Sequence, residues 1–529
     1  MNDNLGKDIT LLNDNILKNK VMYHSVAKNN NIITCLDNGN INILLILHLW
    51  EFEIKNSKAI GGTSLHVMDI VNKLRYNFNF HILAPYEDDF RLYSYWRTGE
   101  EMIKICFFHK KFNANRLFSI EYYYILNEII NTYKIDIIHI HHMLGHYFNI
   151  IDIVKENRKI KLIISLHDYY SVCPRINKIN HNNEYCGNPT ENECNNCISF
   201  TESFFTGGIK NIYIWRNLWS ILFSYSHMII VPSEDSKIEI ANNYPYVKID
   251  VIEHGIELSK YKSQLYLDKD VYFNVAFIGN ISIIKGKSII EKLIKYSKNN
   301  NNIIKFHLFG SIFSKKNKNC FLINHGEYNR ENIYELLKKS EIKLTCIFSI
   351  CPETFCFTFV ESLANGIPIL SFDEGVIGNK IKEYNLGWLI KRNANFIEIN
   401  RLLLNIFNDK KGYEKISKAV NSYKIKTLDD MIRDYNDIYF GYKANEYAAN
   451  LNERRKCFFE QNLFRYYVNH EFTNKLNQVY KSSSWQVGKK ITWFPRMLKK
   501  VINNYQKFGL VFTAKVILNK IVNLKNQPS

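Results

Sequence analysis

The sequence predicts an α/β protein built from two similar halves. Short apolar runs alternate with helical stretches from Asn42 onward, and the alternation starts again after a polar segment at about 257–270. The chain of 529 residues is also too long for a single hydrophobic core. The predicted boundaries are a polar lead-in at 1–40, a first domain at 41–256, a second domain at 257–442 and an extension at 443–529.

The first half has the strand and helix order of a parallel sheet. A buried strand at 41–49 is followed by a Gly61-Gly62 turn and a helix, and Ser233 is a predicted N-cap of a later helix. The other strands are FHILAPY, MIKICFF, IDIIHIHH, KLIISLH, MIIVPS and KIDVIEHGI, and two further helices are SIEYYYILNEIINTY and YFNIIDIVKEN.

The second half repeats this pattern. Its strands are VYFNVAFIGN, IIKFHLFG, CFLINHG, IKLTCIFS, ILSFD and LGWLI, with helices at KSIIEKLIKYS and RENIYELLKKS, at the Glu353–Glu361 region and from about Asn395 to Tyr442. Ligands of open α/β sheets bind beyond the carboxyl ends of the strands. We therefore expect the loops at those ends to carry the function.

Residues 351–375 are the most informative stretch. They place Glu353 and Glu361 eight residues apart around a predicted helix start, and eight helical residues rise about 12 Å. That is roughly the length of a ribose, a diphosphate and a hexose. The carboxylates could accept hydrogen bonds from sugar hydroxyls, while free backbone N–H groups near Phe355 to Thr358 hold the diphosphate without a metal. The alternative is an amphipathic helix with two solvated glutamates.

This stretch resembles the retaining glycosyltransferases of family 4, whose GT-B fold has two Rossmann-like domains facing across a cleft. The residues that match the family pattern are Glu353, Phe355, Glu361, Gly366 and Pro368. Cys356 replaces the glycine that usually follows the phenylalanine, which alters the closest backbone approach to the phosphates. The resemblance covers about residues 41 to 442.

The resemblance also implies a set of site residues. It gives catalytic roles to His167 and Glu353, and donor contacts to Gly61, Gly62, Gly279, Lys285, Gly310, Phe355, Cys356, Phe357 and Glu361. A histidine directly after a buried strand can donate to a sugar hydroxyl, with Asp168 orienting it, and a lysine can neutralise a leaving diphosphate. The structural alternatives are a tight turn, a core histidine and a surface lysine.

Two further features concern the same loops. Many family members have an arginine where this chain has Asn280, so one positive charge is missing and either Lys285 or another base such as Arg175 must compensate. The turn at His254 and Gly255 resembles the family's interdomain hinge.

A cysteine-rich insertion spans 173–197. Cys173, Cys186, Cys194 and Cys197 lie in an otherwise polar loop that has few apolar residues to stabilise it. Four thiolates are a tetrahedral zinc set, and His181 could replace one of them. The sequence therefore predicts a structural zinc or another thiolate-bound metal, with chance clustering as the alternative.

The C-terminal extension is strongly basic. Of the formal charge of +18, much lies from Lys456 onward, where thirteen lysines and arginines face two acidic residues. Between Trp485 and Leu524 apolar and basic residues alternate, which is typical of a helix lying on an anionic membrane. The alternatives are a helix packed on the first domain, a solvated face, or contact with nucleic acid or an anionic glycan.

Several function classes are poorly supported by the sequence. It contains no G-x-x-x-x-G-K-[ST] phosphate loop and no intact G-x-G-x-x-G, and it lacks both a signal-peptide pattern and 18 uninterrupted apolar residues. We therefore expect a cytoplasmic protein that is either soluble or peripheral on the inner face of the membrane.

The predicted function is that of a hexosyltransferase-type enzyme (EC 2.4) without a catalytic metal. The resemblance implies retaining transfer from a nucleotide-sugar to a glycan or lipid-linked acceptor in bacterial surface polysaccharide or lipopolysaccharide synthesis. Two alternatives remain: a non-catalytic GT-B-like binding subunit, and a nucleic-acid-binding protein that uses the basic tail. No motif indicates a specific nucleic acid.

Overall fold

The structure is a computed structural model that describes residues 25–26, 40–50, 61–97, 99, 101–106, 117–258, 271–300, 303–312, 322–328, 330 and 332–444. Within these ranges the chain forms two α/β units, as the sequence predicts, each built on one sheet. The predictions for most of the lead-in, most of the linker and nearly all of the basic extension lie outside the described residues.

The first sheet has nine strands in the order β1-β5-β4-β3-β2-β6-β7-β8-β9. They are β1 (Ser25–Val26), β2 (Asn42–Ile46), β3 (Asn79–Tyr86), β4 (Asp89–Tyr95), β5 (Glu101–Cys106), β6 (Ile137–Ile140), β7 (Lys161–Ser165), β8 (Met228–Val231) and β9 (Asp250–Val251). β2, β3 and β6 to β9 pair in parallel, whereas β1, β4 and β5 form an antiparallel edge. The sequence prediction missed β4, because charged and aromatic residues alternate there.

Seven described helices belong to the first unit. They are α1 (Gly62–Leu74), α2 (Ile120–Thr132), α3 (Ile150–Glu156), α4 (Glu191–Ser199), α5 (Ser203–Thr206), α6 (Ile212–Tyr225) and α7 (Glu234–Asn243). Ser233 caps α7 by accepting from the backbone N–H of Ser236, as predicted.

The apolar segment at 212–225 forms α6 and is buried in the first unit. Trp215 and Trp219 are fully buried there. The indole of Trp215 donates to the carbonyl of Tyr170, and Arg216 Nε donates to that of Val172, so the charged residue that interrupts the segment has a partner. No helix in the described ranges has the length and apolar character needed to cross a membrane.

The second sheet has six parallel strands in the order β12-β11-β10-β13-β14-β15. They are β10 (Phe273–Ile281), β11 (Ile304–Ile312), β12 (Leu322–Gly326), β13 (Leu344–Ile347), β14 (Ile369–Phe372) and β15 (Gly387–Ile390). The accompanying helices are α8 (Lys287–Asn300), α9 (Ile333–Lys339), α10 (Phe357–Ala364), α11 (Gly375–Tyr384), α12 (Phe396–Asn408) and α13 (Lys410–Ser422).

The last described helix, α14 (Leu428–Ala444), returns to the first unit. Met431, Tyr435 and Tyr439 are fully buried in the core that covers one face of the first sheet. The chain enters α14 beside the His254-Gly255 turn, where a Cβ on Gly255 would lie 2.2 Å from the carbonyl oxygen of Thr427. The two segments that connect the units therefore lie side by side at Gly255, and only glycine fits there because a side chain would collide with the backbone of Thr427.

Candidate functional site

Two glycines at neighbouring strand ends form the floor of the site. Gly279 on β10 and Gly310 on β11 are register partners, with φ of +99° and +124°. A Cβ on Gly310 would lie 2.3 Å from the carbonyl oxygen of Gly279, so a side chain there would collide with backbone. A Cβ on Gly279 would lie 3.7 Å from Thr358 Oγ1, in the first turn of α10. The two strand ends therefore face the N-terminus of that helix.

Helix α10 begins between the two glutamates, as the sequence predicts. It begins at Phe357, so Glu361 lies on the helix and Glu353 lies in the preceding loop. The rise of about 12 Å expected between the two glutamates is therefore wrong, because only the part from Phe357 to Glu361 is helical, about 6 Å. Cys356 is the N-cap residue, with φ −130° and ψ 105°. Any residue adopts this extended conformation, so the family's glycine is replaced without backbone strain.

Glu353 forms an ion pair with Lys285. Lys285 Nζ lies 2.9 Å from Glu353 Oε1, and Ser349 Oγ donates to the same oxygen. Burial opposes both charges, but the Glu353 carboxylate outweighs it and raises the pKa of Lys285. Likewise Lys285 and Ser349 outweigh burial and lower the pKa of Glu353. Both groups are therefore charged at neutral pH.

The local backbone explains why this pair forms. Gly286, with φ +79°, packs so closely that a Cβ would lie 2.3 Å from the carbonyl oxygen of Phe348. The N–H of Ile350 donates to the carbonyl of Ile284 at 2.9 Å. These contacts hold the Lys285 loop against the Glu353 loop.

Arg330 is a site residue that the sequence prediction missed. Its Nε lies 3.3 Å from Glu361 Oε1, its Nη1 lies 3.1 Å from Asp69 Oδ2, and its guanidinium carbon lies 4.9 Å from the centre of the Phe357 ring. Asp69 is on α1 and Glu361 on α10, so Arg330 joins the two units across the cleft. Burial nevertheless raises the pKa of Glu361, with Arg330 acting in the opposite direction. No motif surrounds Arg330, which is why sequence reasoning passed over it.

The predicted Gly61-Gly62 turn lies opposite α10. Gly62 begins α1, and a Cβ there would lie 3.3 Å from the Phe357 ring. Gly61 is exposed, and a Cβ added to it would have no atom of the described residues within 4 Å. The turn therefore leaves open space beside the helix start.

His167 lies in a cluster of histidines at the carboxyl edge of the first sheet. Its Nε2 lies 2.9 Å from His141 Nδ1, and its Nδ1 lies 3.4 Å from His254 Nε2. Its carbonyl oxygen accepts a hydrogen bond from Thr354 Oγ1, next to Glu353. Burial, followed by the neighbouring His254, lowers the pKa of His167, so the imidazole is neutral.

Asp168 does not orient His167 as expected. Its Oδ2 lies 2.9 Å from His142 Nε2, and its Oδ1 accepts from the backbone N–H of Tyr170 at 2.8 Å. His142 follows β6 and Asp168 follows the neighbouring strand β7, so both side chains lie at the same edge of the sheet.

Arg175 is held inside the cysteine-rich insertion. Its guanidinium donates to the carbonyls of Ile179 and Asn180 and to Thr201. The positive charge that Asn280 lacks is therefore not supplied by Arg175. Arg330 lies beside α10 as a second cation in addition to Lys285.

The insertion is more regular than the predicted polar loop. Cys194 and Cys197 lie on α4, whose Thr190 and Glu193 form a capping box. All four cysteines are free thiols, and Cys186 Sγ donates to the carbonyl of Lys178. Burial chiefly raises the pKa of Cys173 to about 12, with smaller contributions from the three other nearby thiols.

The one group of metal-ligating atoms found at close spacing in the described ranges is not this quartet. It consists of His66, His167 and His254, with one ring nitrogen from each within 4.8 Å of the others. The zinc expected at the cysteines stays a prediction.

Two family models match the chain in tandem. Residues 60–260 match Glycosyltransferase Family 4, and residues 268–423 match Glycosyl transferases group 1. Together the two matches cover about two thirds of the sequence. No curated protein is a significant sequence match to the chain.

Solved structures share the fold at low sequence identity. One is Anabaena Alr3699/HepE in complex with UDP-glucose, 13% identical with a TM-score of 0.50, covering 76% of this chain and 100% of that one. Another is the sucrose-phosphate synthase of Thermosynechococcus elongatus, 12% identical with a TM-score of 0.52, covering 77% and 100%. The chain is thus a GT-B glycosyltransferase made of a Glycosyltransferase Family 4 domain and a Glycosyl transferases group 1 domain.

Proposed function

We propose that this glycosyltransferase transfers a hexose, with retention and without a catalytic metal, from a nucleotide-sugar to a glycan or lipid-linked acceptor. The observation that carries the proposal is the Lys285–Glu353 ion pair beside the N-terminus of α10, opposite the strand ends at Gly279 and Gly310. A helix N-terminus and an ammonium together favour a diphosphate. The glycines leave the backbone accessible to it.

Each charged group has a role in this proposal. The first-turn N–H groups of α10 and Lys285 hold the diphosphate, which leaves with the electron pair of the broken bond to the anomeric carbon. The acceptor hydroxyl oxygen forms the new bond, and its proton passes to the departing phosphate. Glu353 binds hydroxyls of the transferred sugar, and Glu361 binds those of the ribose.

Arg330 supplies the second positive charge that the family resemblance leads us to expect. Its Nη2 is buried and has no hydrogen-bond partner among the described residues. Because the guanidinium lies over Phe357, in the first turn of α10, this spare donor is close to where the donor diphosphate or ribose would lie. Charge-assisted hydrogen bonds of this kind contribute about 1.5–3 kcal/mol.

His167 acts in this proposal as a neutral hydrogen-bonding group. The 3.4 Å contact of its Nδ1 with His254 is the longer of its two ring contacts, so a hydroxyl of the transferred sugar could replace it. A neutral imidazole can stabilise the developing charge on the sugar without adding a repelling positive charge.

A non-catalytic binding subunit is the second candidate. It is less favoured because the chain retains the Lys285–Glu353 pair, in which Glu353 is largely buried, together with Glu361 and its arginine. Isolated buried charges are destabilising unless paired or used, so a protein without catalysis gains little from them.

A donor screen tests the proposal. The HepE structure contains UDP-glucose, so UDP-sugars come first, followed by GDP- and dTDP-sugars. We expect one nucleotide class to raise the melting temperature, because a ligand at 100 times its Kd adds about 2.7 kcal/mol. Release of free nucleotide with an acceptor extract then shows catalysis. Stabilisation without any turnover would favour the binding subunit.

We further propose that the enzyme acts in surface polysaccharide or lipopolysaccharide synthesis and is cytoplasmic and peripheral on the membrane through its basic extension. The proposal is supported by the Lys, Arg and aromatic content from Trp485 to Leu524. A chain ending near Tyr447 should stay folded and leave anionic liposomes. If that chain still sediments with the liposomes, the extension is not the anchor.

A further inference from the structure

Three histidines from separate elements meet at the wall of the cleft. His66 lies on α1, His167 follows β7 and His254 follows β9. One ring nitrogen of each lies within 4.8 Å of the other two. Two nitrogens bound at 2.0–2.1 Å to one tetrahedral ion are about 3.4 Å apart. His167 Nδ1 and His254 Nε2 already have that separation, 3.4 Å.

The cluster contains buried polar atoms without partners. Nδ1 of His66 and Nδ1 of His254 have no hydrogen bond within the described part of the chain. A buried unsatisfied group costs about 1–3 kcal/mol, so an interaction that satisfies one of these atoms would stabilise the cluster. The centres of these two rings are 4.1 Å apart. An ion that accepts the lone pair of His66 Nδ1 would provide that interaction for His66, while His254 would bind the ion through Nε2.

Two of the three histidines have the outer contacts of metal-binding histidines. His66 Nε2 lies 3.2 Å from the Tyr435 hydroxyl, which leaves Nδ1 for a ligand role. His167 Nε2 lies 2.9 Å from His141 Nδ1, which leaves Nδ1. In metal sites the second ring nitrogen is usually held by such a partner, which fixes the tautomer and the ring orientation.

We propose that His66, His167 and His254 bind a divalent transition-metal ion of the zinc class. Three imidazoles favour zinc, copper or nickel and disfavour magnesium or calcium, which require oxygen ligands. A site with three protein ligands completes its tetrahedron with water. Burial, the largest cause for each residue, lowers the pKa of all three, so they are in the neutral form that binds metal at neutral pH.

The ion would regulate the enzyme and take no part in the transfer. It would bind Nδ1 of His167, the nitrogen that forms a hydrogen bond with the donor sugar in the proposed function. Ion and donor therefore exclude one another, a consequence that rests on that proposed function. The binding of the ion itself does not depend on it.

Cobalt titration of the metal-free full-length protein, without a histidine tag, tests the site. We expect one Co²⁺ with the visible absorption of a tetrahedral nitrogen-ligated ion. A variant with serine at Cys173, Cys186, Cys194 and Cys197 should keep this band, whereas any thiolate charge-transfer band from the insertion should disappear. His66→Gln should weaken Co²⁺ binding at least 100-fold. His81→Gln is the control, because His81 is equally buried but lies 2.9 Å from Ser94 Oγ outside the cluster.

Circular dichroism shows whether the variants fold, and His254→Gln replaces His66→Gln if the latter does not. The proposal is overturned if the variant with the four serines binds no Co²⁺, or if neither histidine variant changes the affinity. Once a donor is known, Zn²⁺ should weaken its binding at least tenfold in the wild type. Metal binding without that effect would overturn the exclusion of donor by ion, while failure of the donor screen would leave the Co²⁺ result unaffected.

Discussion

The ionisable groups on the two walls of the cleft differ in charge. On the first unit, burial lowers the pKa of His139, His146 and His254 to about 3, so these histidine rings, called the neutral wall below, are uncharged. On the second unit, Lys285 and Glu353 keep their charges by pairing. A neutral wall suits sugar hydroxyls, and a charged wall suits a diphosphate. The difference indicates which part of the donor faces which unit.

The largest expected effect is a loss of stability in acid, which tests whether the neutral wall is uncharged. The unfolded chain protonates its histidines near pH 6.5, whereas the folded chain keeps these rings neutral, so the free energy of unfolding falls as pH drops from 6.5 toward 3. Each buried histidine contributes up to about 1.4 kcal/mol per pH unit. Urea unfolding at pH 7, 6 and 5 should show a steep loss. Glu353, whose pKa is lowered, adds a loss only below its usual value of 4.5.

A matched variant sharpens this result. Burial lowers the pKa of His81 to about 3, and the residue lies away from the cleft. His81→Asn should reduce the change in the free energy of unfolding with pH by the contribution of one histidine, up to about 1.4 kcal/mol per pH unit. Equal stability of the wild type at pH 7 and pH 5 would show that the wall is not neutral.

The second effect tests the charged wall through turnover. Glu353→Gln keeps the shape of the side chain but removes the charge that pairs with Lys285, and Glu361→Gln removes the proposed ribose acceptor. We expect each to lower kcat/KM by a factor on the order of 100, with the fold kept. The control is Glu335→Gln in the first turn of α9. Full activity of both cleft variants would contradict the assignment.

The third effect concerns the cation that joins the walls. Arg330→Gln should raise the KM for the donor about tenfold, because a charge-assisted hydrogen bond is lost. Asp69→Asn keeps the guanidinium and should change the KM for the donor by less than threefold. If Asp69→Asn and Arg330→Gln have equal effects, Arg330 only holds the two units together.

The smallest expected effect concerns Cys356, which replaces the glycine of the family pattern. Cys356 adopts an extended conformation that needs no glycine. Cys356→Gly should therefore change kcat by less than about threefold, with a small loss of stability because glycine is more flexible when unfolded. A tenfold gain in kcat would show that the cysteine obstructs the phosphates.

The sequence allowed the local parts of the site to be predicted. The strand-end glycines, the Gly61-Gly62 turn and the Ser233 cap were found because each depends on a few consecutive residues. The rise of about 12 Å between Glu353 and Glu361 was wrong because the sequence does not distinguish an extended loop before a helix from its first turn.

The missed features depend on contacts distant in sequence. Arg330 meets Asp69 across 261 positions, and Tyr435 meets His66 across 369. The histidine cluster likewise requires α14 to return to the first unit. No periodicity or local motif encodes such contacts, because they follow from how the two units pack.

The most direct test of the account is calorimetric binding of the nucleoside diphosphate found in the donor screen. The charged wall should hold the diphosphate and the neutral wall should not. We predict that Lys285→Gln weakens its affinity at least tenfold, while His141→Gln, on the opposite wall, changes it by less than twofold. Unchanged affinity in Lys285→Gln, or an equal loss in both variants, would contradict the central claim.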